Sequence, residues 1–319
     1  MLALAVAGGA SGQLELRPVA EPPDPPPGHA VLRVMASAIN RGERSRLMTA
    51  PEGHVFGWDV AGVVERVGGP NATAAPGDRV AGLSLPGGGW AERITVRLAD
   101  VCPIPDGVGM AEAAIVPVAG LTAFRALHAA GALLGATVLV IGGGAVGAYA
   151  VQLAKLGGAQ VIAAVRTDES ADHMRELGVH RVLVGTPPPQ AACDLVVDTV
   201  GGAMSQVALA ACRPFGRLVI VGNLGAGSDG LSPSALVAAG CLVQGYRLVV
   251  DAAGAPVGAH LNALLSWIAE GRLRIPPVRE VDWHDAVAVA EAVAGRPGPA
   301  RTVLRMSDDG SPATQSVPG

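Results

Sequence analysis

Apolar residues fall along this chain in two different rhythms. Up to about residue 115 they come in short runs between turn formers. These runs predict strands at Ala30–Ala36, Val60–Val67, Arg79–Leu83 and Ala91–Val96. The proline-rich segment Glu21–Gly28 must enter the first of them extended or turning, and Pro86–Gly89 predicts a loop between the last two. From about Ala111 to Gly254 the rhythm changes. Runs rich in β-branched residues, at Val138–Ile141, Val161–Val165, Arg181–Val184, Leu195–Val200 and Leu218–Val221, alternate with helical spacing. That alternation predicts an α/β fold with a doubly wound parallel sheet, covered by helices on both faces. Beyond Gly254, helices are expected over His260–Glu270 and Trp283–Val293. A final strand, Ala300–Arg305, is directed back to the β-rich part. The polar segment 307–319 reads as a disordered tail.

Composition narrows the picture. A chain of 319 residues exceeds one ordinary core, so two domains are expected. Half of its residues are hydrophobic and 16% are charged, which suits large buried elements. A net charge of −4 gives no general attraction to nucleic acid or to anionic membrane. The apolar start, MLALAVAGGASG, lacks a basic flank and reads as a strand rather than a signal peptide, and no uninterrupted apolar run suits a membrane span. The four cysteines, Cys102, Cys193, Cys212 and Cys241, form no C-x-x-C pair. They read as small buried hydrophobes of a reducing cytoplasm.

One segment carries clear chemistry. Gly142-Gly143-Gly144-Ala145-Val146-Gly147 fits G-x-G-x-x-G, follows a predicted strand and opens a predicted helix. The first glycine makes the tight turn, the second admits a pyrophosphate close to the main chain, and the third lets helix and strand pack closely. Free N–H groups at the positive helix end favour the phosphates. The next strand ends in Arg166 and Thr167, where an NAD-binding chain would carry an acid. A guanidinium pairs with a 2′-phosphate, so NADPH is the expected cofactor, with Thr167 and Ser170 as further donors. The alternative is an exposed Arg166 without a ligand, Asp168 taking the ribose.

Several segments, taken in order, resemble the zinc-free quinone oxidoreductase (zeta-crystallin-like) branch of the medium-chain dehydrogenase/reductase superfamily. They are GWDVAGVVERVG (Gly57–Gly68), GDRVAGL (Gly77–Leu83), VAGLTAFRAL (Val118–Leu127), GATVLVIGGGAVG (Gly135–Gly147), CDLVVDTVGG (Cys193–Gly202) and GRLVIVGNLGAG (Gly216–Gly227). The resemblance implies a GroES-like β-rich catalytic domain from residues 1–115 and 255–306. A Rossmann domain, residues 116–254, lies between, with a substrate cleft at the junction and a homodimer as the assembly. It implies cofactor contacts from Thr122, Val200, Gly222, Asn223 and Leu224 beside the glycine turn.

The same resemblance sets Asn40, Trp58 and Val118 where zinc-dependent members have Cys, His and Cys. None of the three is a ready zinc ligand, so no metal is expected. His54 reads as a solvated loop residue. Reduction of a carbonyl-conjugated C=C bond needs no metal, only donors for the enolate oxygen in a dry cleft. The expected activity is therefore NADPH-dependent reduction of a quinone, enone or enoyl compound. Asn40 is the first candidate to orient substrate, or else a turn residue bonded to its own backbone. Trp58 either walls the cleft or fills the core. Ser45 stands where relatives carry a Tyr, within Arg41–Arg46, at the start of a segment expected to be a loop as far as His54. Tyr149 reads as packing, and Tyr246 as lining the cleft or the dimer edge. Two other functions stay open. One is a nucleotide-binding scaffold without redox turnover, regulatory or structural; the other is a pathway-specific enzyme that reuses the cleft for non-redox chemistry.

Overall fold

The computed structural model describes residues 1–306 except 9–11, 71, 224, 226–229 and 296–299. The predicted tail and Leu224 therefore lie outside the described residues.

In the first part of the chain, β1 (Leu2–Val6) pairs antiparallel with β2 (Leu14–Pro18). There follow β3 (His29–Ala38), helix α1 (Arg41–Arg46), β4 (Asp59–Val67), β5 (Arg79–Leu83), β6 (Arg93–Arg97), β7 (Val101–Pro103) and helix α2 (Met110–Ala114). Helix α3 (Pro117–Ala130) starts on a proline, whose missing N–H costs nothing at a helix start, and stops at Gly131 with φ +93°. The alternating region then runs β8 (Thr137–Ile141), α4 (Ala145–Leu156), β9 (Gln160–Val165), α5 (Asp168–Glu176), β10 (Arg181–Val184), β11 (Cys193–Asp198), α6 (Met204–Ala211), β12 (Cys212–Ile220), α7 (Pro233–Ala239) and β13 (Leu242–Gly245). The chain continues through α8 (Leu248–Gly254), α9 (Gly258–Ala269), β14 (Val278–Asp282), α10 (Ala286–Ala294) and β15 (Arg301–Arg305).

Strands β8 to β13 form a parallel sheet in the order β10-β9-β8-β11-β12-β13. The order reverses between β8 and β11, which is where open α/β sheets bind ligands beyond the strands' carboxyl ends. The second sheet runs β14-β15-β3-β4-β5-β7, with β6 also on β3. As expected, the last strand returns: β15 pairs antiparallel with β3, Val303 opposite Ala38. The fold is GroES-like plus Rossmann, α/β.

Strand periodicity explains where the core sits. Val138, Val140, Val161, Ala163, Val165, Leu195 and Val197 point into a large core, which continues through α3 and α4 to Met35, Trp58, Ala61 and Ala81 of the second sheet. Their strand neighbours Leu139, Ile141, Ile162, Ala164 and Val196 point the other way, into a core under α6 and α7. The two sheets thus share one apolar layer. Cys193, Cys212 and Cys241, distant in sequence, come close in that region. Burial pushes the Cys193 and Cys212 thiols up to about 11 and about 12.

Three expectations need correction. Arg41–Arg46, expected as loop, is helix α1, because the buried Glu43 side chain accepts the Asn40 N–H at 2.8 Å and ties down its first turn. The helix expected from Trp283 starts only at Ala286, capped by Asp285, whose carboxylate accepts from Val287 N and Ala288 N. Trp283, 1% exposed, is core instead. The strand expected through Val200 stops at Asp198, whose side chain turns the chain there. Val278–Asp282, whose alternation is too short and too polar to stand out, pairs parallel with β15. No single described helix is long and apolar enough to cross a membrane.

Candidate cofactor and substrate site

The glycine turn lies between the end of β8 and the start of α4, at the point of strand reversal. Gly142 has φ +109°, a conformation L side chains resist. A Cβ on Gly147 would lie 2.0 Å from the Gly142 carbonyl oxygen, so this glycine sets the close packing of helix on strand. A Cβ on Gly144, by contrast, would meet nothing within 4 Å. That open side, beside the free N–H groups at the start of α4 through Ala145 and Val146, is the room a pyrophosphate needs. The residues therefore fit a dinucleotide.

The neighbouring strands complete the rim. A Cβ on Gly143 would come 2.7 Å from the Ser170 Cβ, which places the first turn of α5 against the glycine turn. Thr167 caps α5, accepting from Ser170 N, and its hydroxyl lies 3.0 Å from that of Ser170. Arg166 is exposed, and among the described residues it makes no hydrogen bond or ion pair. On the other side, the fully buried Asp198 accepts from Val200 N and Gly201 N, both at 2.9 Å, and from the Ser205 hydroxyl at 2.7 Å. Thr199 donates its hydroxyl to the Ile141 carbonyl at 2.7 Å, tying this loop to β8. A Cβ on Gly222 would lie 2.3 Å from Val200 N, so the glycine there lets two ligand-side loops pack together. Asn223 is exposed just beyond. Asp198 was missed in the sequence, although an acid ending an otherwise apolar strand is a visible signal.

The second group of predicted residues gathers at the junction of the sheets. Asn40, 3% exposed, donates its amide N–H to Asp59 Oδ2 at 3.0 Å and accepts from Arg301 Nη2 at 2.6 Å. The other Asp59 oxygen accepts from Val118 N at 2.6 Å. Asp59 thus links β4 to α3, whose buried Thr122 lies one turn on from Val118. Glu43, wholly buried, accepts from Asn40 N, Gly57 N and Trp58 N at 2.7–2.9 Å. Burial, and then the Asp59 charge, push the Glu43 carboxyl up to about 7. Burial pushes Asp59 up to about 6, opposed by Arg301, Asn40 and Val118 N. Asn40 holds one end of a buried polar network, through its bonds to Asp59 and Arg301. Sequence reasoning gave no role to Glu43 or Arg301. Glu43 three residues after Asn40 was a readable capping signal, whereas Arg301, 261 residues away, was not.

Trp58 is 9% exposed and belongs to the shared core. Gly42 packs on its ring, where a Cβ would come within 2.9 Å. The Arg46 guanidinium carbon lies 5.1 Å from the ring centroid. Ser45 is exposed and donates to the Gly42 carbonyl at 2.9 Å. His54 stacks edge-on against Phe56. Tyr149 is buried with no hydrogen-bond partner for its hydroxyl among the described residues, and burial pushes it above its ordinary range. Tyr246 donates to Asp251 at 2.7 Å, and Asp251 also pairs with Arg125 at 2.8 Å. Among the described residues no group of three or more His, Cys, Asp or Glu is placed to hold a metal ion.

Residues 26–106 match the family model of the alcohol dehydrogenase GroES-like domain, and residues 145–257 that of the zinc-binding dehydrogenases. Together the two models span more than half of the chain. The chain belongs to the medium-chain dehydrogenase/reductase superfamily. The chain is 32% identical over 314 residues, 94% of its length, to the spectinabilin polyketide synthase system protein NorB of Streptomyces orinoci, but spans only 14% of that protein. It is 29% identical over 304 residues to the quinone oxidoreductase of Pseudomonas aeruginosa, covering 89% of this chain and 93% of that one. The solved quinone oxidoreductase of Pseudomonas syringae pv. tomato superposes with a TM-score of 0.82 at 26% identity, covering 95% of this chain and all of that one. This nicotinamide-dependent fold and the glycine turn together point to a nicotinamide dinucleotide.

Proposed function

We propose that this chain is an NADPH-dependent, metal-independent reductase of a quinone, enone or enoyl compound. The observation that carries the reading is the glycine turn at the strand reversal, open at Gly144, with Arg166, unpaired among the described residues, at the tip of the next strand. Arg166, Thr167 and Ser170 hold the 2′-phosphate; Gly142, Gly143, Gly144, Ala145, Val146 and Gly147 hold the pyrophosphate. Thr122, Val200, Gly222 and Asn223 edge the nicotinamide. The catalytic domain comprises residues 1–115 and 255–306, the nucleotide domain residues 116–254, and the cleft lies where Asp59 meets Val118. When bound, the reduced nicotinamide supplies a hydride to the carbon β to a carbonyl. The chain's part is to align the substrate over that ring, exclude water and hold the oxygen that gains charge, while water protonates the α-carbon. Asn40 and Asp59 shape this end of the cleft, and Trp58 fills the volume a metal and its histidine occupy in zinc-dependent members. A homodimer through the exposed β13 edge, with Leu242 and Val243 on it, fits the same reading.

The test is NADPH consumption by the purified protein with a panel of quinones, enones and enoyl thioesters, alongside titration with NADPH and NADH. Turnover with NADPH preferred supports the proposal. Tight NADPH binding without oxidation of any substrate favours a scaffold, and a reaction that leaves NADPH unspent favours non-redox chemistry. No complex with either coenzyme would remove the basis of the reading.

A further inference from the structure

The proposed reduction, on which this inference rests, puts negative charge on a carbonyl oxygen, and some donor must receive it. Most polar groups around Trp58 are engaged or enclosed. The Asn40 amide accepts from Arg301 and donates one N–H to Asp59, and Arg301 Nε, without a partner among the described residues, is wholly buried. The Glu43 carboxylate takes three backbone N–H groups, and the Asp59 carboxylate takes Asn40 and Val118 N. Arg44 donates to the Gly295 carbonyl. Ser45 donates back to Gly42. Arg46 differs. Its side chain is exposed, and among the described residues its guanidinium makes no hydrogen bond and no ion pair; its one specific contact is with the Trp58 ring, 5.1 Å from the centroid.

The local sequence explains that placement. Gly42 and Arg46 are four residues apart and so share one face of α1. That face lies on the indole: Gly42 touches it because it has no side chain, and Arg46 reaches across it. A planar guanidinium on an aromatic ring is held in orientation while its N–H edge stays free to donate. Trp58 is itself fixed, since Glu43 accepts its backbone N–H at 2.7 Å. Glu43, Trp58 and Gly42 therefore hold an exposed cation on a ring whose neighbour in sequence, Asp59, belongs to the network of Asn40 and Arg301.

We propose that Arg46 is a catalytic residue, the electrophile that donates hydrogen bonds to the carbonyl oxygen of a conjugated substrate as that oxygen becomes an enolate. The β-carbon gains the hydride, the C=C electron pair moves to form a new C=C bond between the α-carbon and the carbonyl carbon, and the C=O pair moves to oxygen. The oxyanion forms against the Arg46 N–H groups. Water then protonates the α-carbon, the C=O bond reforms, and the saturated carbonyl compound leaves with the coenzyme oxidised.

The experiment compares wild type, Arg46→Ala and Arg46→Lys in NADPH oxidation with the best substrate of the panel. Arg272→Ala serves as a control, because Arg272 stacks on Trp267 in the same way on another part of the surface. Expected are a fall in kcat of about 100-fold or more in Arg46→Ala, unchanged KM for NADPH, a smaller fall in Arg46→Lys, and recovery with added guanidinium. Arg272→Ala should match wild type. A rise in substrate KM with kcat kept, or no effect at all, would overturn the role of Arg46. If wild type reduces nothing in the panel, the reductase reading falls by itself, and 4-nitrophenolate, a planar oxyanion, still decides the donor. Binding to wild type that weakens at least tenfold in Arg46→Ala supports the donor, and equal or absent binding refutes it.

Discussion

Gly147 has no room for even a methyl group, because the atom in its way is the Gly142 carbonyl oxygen, fixed backbone rather than a flexible side chain. Gly147→Ala must therefore push helix α4 off β8. A loss of about 2–4 kcal/mol in urea unfolding is expected, together with weaker coenzyme binding. Gly144 sits two residues from Gly142 in the same turn, yet its Cβ would meet only open space. Gly144→Ala should fold normally and lose affinity for NADPH alone, so the pair separates packing from binding. Arg166 is tested in the same way. Its guanidinium has no partner among the described residues, so Arg166→Ala should leave stability unchanged. Titration should show NADPH binding weakened by about 10- to 100-fold, since hydrogen bonds to a charged group contribute about 1.5–3 kcal/mol, with NADH little affected. The turn at Gly142 and the close packing at Gly147 were readable in the sequence, because local spacing fixes them. The reason for Gly222 was not. Its missing side chain accommodates Thr199 and Val200, which reach it only through sheet pairing.

At the scale of elements, α1 is the instructive case. Six residues cannot sustain an isolated helix, and three of these are arginines. It persists because Glu43 points inward to three backbone N–H groups. The cost is a buried carboxyl with a second one, Asp59, nearby. Unfolded, these groups titrate near 4.5 and 3.8; folded, near 7 and 6. Between those values the native state holds protons that the unfolded chain has released. Their contribution to stability is thus greatest below about pH 4, declines as pH rises, and is gone above about 7, with a slope of about 1.4 kcal/mol per pH unit for each proton. Urea unfolding of Glu43→Gln from pH 5 to 8 should show a shallower decline than wild type; an equal slope would mean that Glu43 does not titrate there. At the other end of the chain, the Asp285 cap of α10 should contribute about 1 kcal/mol, lost in Asp285→Ala by thermal unfolding. The helix was expected in the sequence, but its start was not, because Trp283 fits a helical apolar stripe equally well. Only packing placed Trp283 in the core.

For the whole molecule, the shared apolar layer between the sheets and the Asp59 to Val118 link make the cleft a joint property of both ends of the chain and its middle. A coenzyme that binds only the folded state should therefore stabilise both sheets together. At a hundred times its Kd, NADP+ should add about 2.7 kcal/mol, seen as a single shifted thermal transition. Exhaustive dialysis against a chelator should leave turnover unchanged; activity lost and then restored by zinc would contradict metal independence.

The alternation of strands and helices from β8 to β12, the glycine turn and the return of the last strand were written in the sequence, because each depends on residues a few positions apart or on the alternation of a strand. The polar network was not. Asn40, Glu43, Asp59 and Arg301 come from α1, β4 and β15, and no local pattern announces that a carboxylate will be enclosed and an arginine brought to it across most of the chain. The same holds for Arg46 on Trp58. The sequence named the ring and the charge, but only the tertiary fold laid one on the other. Local spacing sets backbone geometry, whereas burial and charge pairing arise when distant segments exclude water together.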